Sequence, residues 1–126
     1  MTVNPMAYDR DNVFARILRG ELPCTKVHED AHVLAFRDIN PLAPTHIVLI
    51  PKGEYVSAAD FSATASEAAL ASFMRAIAQI TASEGIIDSG FRIIANAGKD
   101  GRQEVPHFHL HILGGRDIGP MVRRPG

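Results

Sequence analysis

Three of the six histidines in this 126-residue chain stand at 107, 109 and 111, within His107-Phe108-His109-Leu110-His111-Ile112-Leu113. Imidazole is the side chain whose unperturbed pKa lets it donate, accept or attack near neutral pH. Single apolar residues separate the three, and alternation of this kind is a strand signal. Successive side chains of a strand point to opposite faces. The pattern predicts a strand with three imidazoles on one face and Phe108, Leu110 and Ile112 entering the core behind it. Such a row can ligate a metal, divide nucleophile and acid–base roles, or only hydrogen-bond at a sheet surface.

Strand geometry weighs against the metal. Positions i and i+2 are about 6.6 Å apart and i and i+4 about 13 Å, whereas zinc wants nitrogens at about 2.0–2.1 Å in a tetrahedral shell. Three ligands from one straight strand make a poor zinc site. Two of them, completed by His46 or a carboxylate, remain an open alternative.

The elements that must position the row can be read along the chain. Residues 1–9 read as a loose arm broken at Asn4-Pro5. Asp9 or Asp11 is expected to cap a short helix carrying Val13, Phe14, Ile17 and Leu18 on one side and stopping at Gly20. Lys26–Glu29 and Val33–Arg37 read as short strands. Thr45–Ile50 is a β-branched run, and so a buried strand, ended by Pro51. Thr64-Ala65-Ser66-Glu67 has capping-box spacing and predicts a long helix, with Leu70, Phe73, Met74, Ile77 and Ile80 as its buried stripe and Gly85 as its stop. Phe91–Asn96 reads as another strand. The loop Ala97–Gln103 leads into the histidines, and 117–126 is an irregular tail. These elements give a single α+β domain over 1–126: a mostly antiparallel sheet with one long helix and a short N-terminal helix.

Composition narrows the function. A formal charge of −1 leaves no electrostatic footprint for nucleic acid or an anionic membrane. One cysteine, Cys24, excludes an intrachain disulfide framework. No run approaches the about 20 apolar residues of a membrane span, and the N-terminus lacks the basic and apolar regions of a secretory signal. A cytoplasmic protein is expected.

The run at 107–113 resembles the signature of the histidine-triad (HIT) family, histidine alternating with apolar residues. The likeness extends to Phe36-Arg37-Asp38-Ile39-Asn40-Pro41 and Ala43-Pro44-Thr45-His46, and covers about residues 12–116. Gly114-Gly115-Arg116 directly after the triad looks like the branch of histidine-triad nucleotide-binding proteins. His111 is unlike the uridylyltransferase branch, which has glutamine there.

The resemblance implies a hydrolase of purine nucleoside 5′-phosphoramidates or related nucleotidyl conjugates. It works as a homodimer with a purine nucleotide of AMP or GMP type, and needs no metal or cofactor. His109 is then the nucleophile toward the α-phosphorus, and His107 and His46 orient it. His111 binds phosphate oxygen and helps protonate the leaving group. Asn96, Gln103 and the backbone amides around Glu104 and Val105 carry over as phosphate-side contacts, and Asp38 as the acceptor for ribose hydroxyls. Phe14, Ile17, Leu22, Phe36 and Ile39 form the base slot, although ordinary core would use the same residues. A dinucleoside polyphosphate hydrolase and a non-catalytic AMP-binding scaffold are the rival functions.

The chain also departs from the family. Arg102 stands where a small residue is common and adds a cation near the phosphates; it could bind a second phosphate or point to solvent, and as an exposed loop charge the second is expected. Glu104 stands where serine or threonine is often found. Asp11-Asn12-Val13-Phe14 replaces a zinc-binding CxxC, so no structural zinc is expected. The tail has no tryptophan.

Overall fold

Five strands form one antiparallel sheet in the computed structural model, which describes residues 7–122. They are β1 (Lys26–Glu29), β2 (Val33–Arg37), β3 (Thr45–Pro51), β4 (Phe91–Ile94) and β5 (Leu110–Gly114), in the spatial order β1-β2-β3-β5-β4. Three helices complete the α+β fold: α1 (Val13–Leu18), α2 (Ala58–Thr64) and α3 (Glu67–Ser83). Among the described residues no helix is long and apolar enough to cross a membrane.

Period two along β3 sorts the core into two layers. Ile47 and Leu49 face α3, with Val33, Ala35, Phe73, Ala76, Ile80, Phe108, Leu110 and Ile112. Val48 and Ile50 face the other way and join Leu34 and Phe36 beneath Phe14, Ile17 and Leu18 of α1. Every residue of β3 is buried, as a central strand covered on both faces requires. On the α3 side Phe61, Phe73 and Phe108 stack with centroids 5.0–5.1 Å apart, a geometry worth about 0.5–1.5 kcal/mol per pair beyond burial.

Helix ends follow side-chain chemistry and correct the expected boundaries. The cap of α1 is Asn12, whose carbonyl oxygen accepts from Ala15 N–H at 2.8 Å; neither Asp9 nor Asp11 takes that place. Thr64 does not open the long helix. It closes α2, a separate helix of about two turns capped by Ser57 and Asp60 acting reciprocally. Ser66 caps α3 by accepting from Ala69 N–H. Met74, expected in the buried stripe, is 64% exposed. Pro51 lies inside β3 rather than after it, and β4 ends at Ile94 rather than Asn96. Residues 1–6 of the expected arm and 123–126 of the expected tail lie outside the described residues. Tyr8, within that arm, is docked onto the domain.

Candidate active site

The histidine segment is only partly strand. Pairing of β5 with β3 begins at Leu110↔Leu49, so His107, Phe108 and His109 precede the ladder. Other bonds hold this approach. His107 N–H donates to Val105 O at 2.8 Å and Phe108 N–H to Tyr55 O at 2.7 Å. Phe108, Leu110 and Ile112 enter the α3 layer as the alternation predicts. The imidazoles lie on the other face, where His111 pairs with Val48.

Backbone partners fix the imidazole tautomers. His107 is fully buried; its Nε2–H donates to Pro51 O at 2.8 Å, so its Nδ1 is a lone pair that accepts from the Tyr8 hydroxyl. His109 donates Nδ1–H to the carbonyl oxygen of His107 at 2.7 Å. A carbonyl only accepts, so neutral His109 carries its free lone pair on Nε2. Phe14 meets the His109 ring edge-on with centroids 4.9 Å apart and holds its plane.

A second chain of bonds orients His111. Leu42 N–H donates to His46 Nδ1 at 3.1 Å, which leaves the proton of neutral His46 on Nε2. That nitrogen lies 2.9 Å from Nδ1 of His111 and donates to it. His111 then bears its own proton on Nε2. The pair therefore offers a donor at His111 and a lone pair at His109, with ring centroids 5.0 Å apart.

Burial keeps these rings neutral. Desolvation pushes His107 down to about 4, with the Pro51 carbonyl pulling the other way. Desolvation, then repulsion from His109 and His46, pushes His111 down to about 4. His109 and His46 are lowered for the same primary reason, partly offset by the His107 carbonyl and by Asp38 respectively. A neutral imidazole is the nucleophilic form.

A cavity of about 460 Å³ opens over His109 and His111. Of the residues expected to contact a nucleotide, Phe14, Asp38, Asn96, Glu104 and Val105 line it, and His46 forms part of its wall. His107 lies behind the wall. Phe36 lies under Phe14 at 5.6 Å and Ile17 packs in the same apolar layer, so both support the slot from below. Leu22 is half-buried away from the cavity, and Ile39 is 89% exposed. Gln103 is drawn off as well. Its Oε1 accepts from Gly98 N–H at 3.1 Å and its Nε2 donates to the carbonyls of Val56 and Val105. The side chain bolts the 97–103 loop instead of reaching the cavity.

Three things escaped the sequence reading. Tyr8 holds His107, a contact between residues 99 positions apart with no local signal. Leu42, Ile94 and Leu113 add apolar wall to the cavity. Arg102, expected to face solvent, is exposed yet lines the cavity, with its backbone at φ +57°.

Asp38, His46 and His111 bring ligand-type atoms within 4.8 Å of one another. The His46 Nε2 and His111 Nδ1 of this group are already bonded to each other. A metal there would have to replace that bond and move the His46 proton to Nδ1, against the Leu42 N–H. The donor set therefore fits the hydrogen-bond chain better than a metal.

Residues 19–118 match the HIT domain family model. The chain belongs to the HIT family. Within it, the sequence is 56% identical to a 13.2 kDa HIT-like protein of Azospirillum brasilense, over 93% of this chain and 96% of that one. It is 44% identical to the purine nucleoside phosphoramidase of Escherichia coli K12, over 92% and 97%. The structure resembles that of a histidine triad protein from Clostridium difficile at a TM-score of 0.81 and 42% identity, covering 92% of this chain and all of the other. HIT membership gives the histidine segment a family setting; the bonds above give each ring its protonation.

Proposed function

We propose that this HIT protein hydrolyses purine nucleoside 5′-phosphoramidates or related nucleotidyl conjugates through a covalent nucleotidyl-His109, releasing the nucleoside monophosphate. The observation that carries this reading is the 2.7 Å bond from His109 Nδ1–H to the His107 carbonyl, which commits Nε2 to a lone pair beside a cavity. The 44% identity to a purine nucleoside phosphoramidase supports the substrate class.

The chemistry runs in two displacements. His109 Nε2 attacks the α-phosphorus, forming a P–N bond as the bond to the leaving amine breaks. The negative charge of the bound phosphate favours uptake of one solvent proton at His111 Nδ1, the His46 Nε2–H shifting to Asp38 Oδ2, 3.5 Å away; the imidazolium then gives its Nε2 proton to the departing amine. Water then attacks the phosphorus, His111 takes the water's proton, and the bond to His109 breaks to release nucleoside monophosphate. His109 is again neutral, and His111 returns its extra Nδ1 proton to solvent as the phosphate leaves. His107 and His46 act as positioning residues through the tautomers they impose. Asp38 accepts from the ribose hydroxyls, and Phe14, backed by Phe36 and Ile17, flanks the base. Asn96 and the amides around Glu104 and Val105 lie on the phosphate side. Gln103 shapes that side through its loop.

The homodimer belongs to the same reading. Phe91 and Ile93 lie on the α3 face of edge strand β4 but are 40% and 45% exposed, because α3 packs over β1, β2 and β3. An open apolar edge is a template for pairing, and a second copy of the same edge and of exposed Met74 is its occupant here. Sedimentation should give twice the chain mass, and Ile93→Lys should give the chain mass.

Acid quench during turnover of adenosine 5′-phosphoramidate, followed by mass spectrometry, should find AMP attached to the peptide containing His109. Faster turnover of a diadenosine polyphosphate would favour the polyphosphate hydrolase instead. No turnover of any nucleotidyl conjugate, with AMP still bound, would leave a binding module.

A further inference from the structure

We infer that Arg102 makes this site selective for nucleotidyl conjugates whose leaving group carries an anion, an inference that rests on the proposed hydrolase reading. Arg102 supplies the one Lys or Arg side chain among the described residues lining the His109 cavity. The other charged groups there are the carboxylates of Asp38 and Glu104. Without Arg102, the carboxylates would be the only Asp, Glu, Lys or Arg charges among the described residues lining the cavity. Among the described residues the guanidinium has neither an ion-pair nor a hydrogen-bond partner; only its backbone N–H is bonded, to Lys99 O at 3.0 Å.

The direction of this cation matters. Arg102 and Glu104 also line a second depression of about 290 Å³, which contains Lys99 and abuts the first. Arg102 therefore stands at the junction between the phosphorus site and a neighbouring surface that holds two cations against one carboxylate. A group leaving the phosphorus opposite His109 and carrying a carboxylate or a phosphate would find its countercharge there. The backbone sharpens the point. Arg102 sits at φ +57°, a left-handed conformation that glycine adopts without strain and a long side chain does not. The turn alone gains nothing from arginine, so the side chain's benefit lies in what it contacts.

The same backbone supplies clean variants, because glycine and asparagine both tolerate φ > 0. Two substrates should be compared: AMP joined by a P–N bond to β-alanine, and its methyl ester. Wild type should favour the free carboxylate by about tenfold in kcat/KM, the scale of one hydrogen bond to a charged group. Arg102→Gly and Arg102→Asn should reduce the preference to about twofold or less, and Arg102→Lys should keep most of it. In a parallel binding arm, wild type should show a larger ADP-over-AMP affinity ratio than either neutral variant. A loss confined to the β-alanine pair identifies a carboxylate leaving group, and one confined to ADP identifies a phosphate. If Arg102→Gly changes neither ratio, Arg102 is not a selectivity residue. If wild type turns over neither conjugate, the hydrolase reading fails, while the ADP/AMP ratio still decides the role of Arg102.

Discussion

Tyr8 donates its hydroxyl proton to Nδ1 of His107, joining the N-terminal segment to the first residue of the triad. Tyr8→Phe removes the donor and leaves a lone pair buried on a ring with no solvent exposure. Leaving such a group unpaired costs about 1–3 kcal/mol. Thermal melts should show that loss, with a smaller change in turnover, because the Pro51 bond still orients the ring. An unchanged melting temperature would mean that Tyr8 does not dock in solution.

His109→Ala removes the proposed nucleophile and should lower kcat by at least about a thousandfold. The structural cost is the lost edge contact with Phe14, about 1 kcal/mol, plus about 1–3 kcal/mol for the His107 carbonyl left unpaired, within the about 5–15 kcal/mol typical of a domain. The variant should therefore still fold and still bind AMP. Substantial residual turnover would exclude a covalent His109 route.

Stability should fall as pH drops from about 6.5 toward about 4. His107 and His111 titrate near 4 in the folded chain against an ordinary 6.5. In that window the unfolded chain binds protons that the folded chain refuses, and protonation pulls toward unfolding. His46 and His109 shift in the same direction. Urea titrations on either side of the window test this; a midpoint that stays constant or rises toward acid would mean that the rings are not buried neutral. Loss at Glu29, lowered from 4.5 to about 2 by Lys52 and Lys26, runs between those values and overlaps only the acid end of this window.

Gln103→Ala should strip three hydrogen bonds from the loop after β4. The expected cost is about 1–3 kcal/mol for the carbonyls left behind, with KM rising more than kcat falls. Gln103→Glu should be worse than alanine, since its carboxylate would face the Val56 and Val105 carbonyls. Equal melting temperatures for the two variants would contradict the assigned amide orientation.

Chelation should leave turnover unchanged, because His46 and His111 spend their facing nitrogens on each other. Dialysis against EDTA, followed by assay with and without added zinc, measures this. Activity lost to EDTA and restored by zinc would assign the Asp38–His46–His111 cluster to a metal instead.

The sequence carried the fold through its periodicities. Alternation set the inward face of Phe108, Leu110 and Ile112, and the β-branched run at Thr45–Ile50 marked the central strand. Boundaries were less legible, because caps compete locally. Ser57, Thr64 and Ser66 are all chemically fit to cap, and only the packing of Phe61 shows that two helices share this stretch. In the site, residues on regular elements, His46 and His111, were readable, as was Asp38 directly after β2. Gln103, Ile39 and Arg102 lie on loops, where backbone turns and not side-chain type decide what faces the cavity. Tyr8 was out of reach because its partner is nearly the whole chain away.

The late start of β5 pairing, at Leu110, has a consequence for reactivity. A carbonyl oxygen committed to a neighbouring strand is a poorer partner for a side chain. Because the ladder has not yet begun at 107, the oxygen of His107 can take the Nδ1 proton of His109. Sheet formation and imidazole activation thus compete for one oxygen. A variant that zipped the strand two or three residues further would gain order and release the ring to tautomerise, making a more regular protein with a duller reagent.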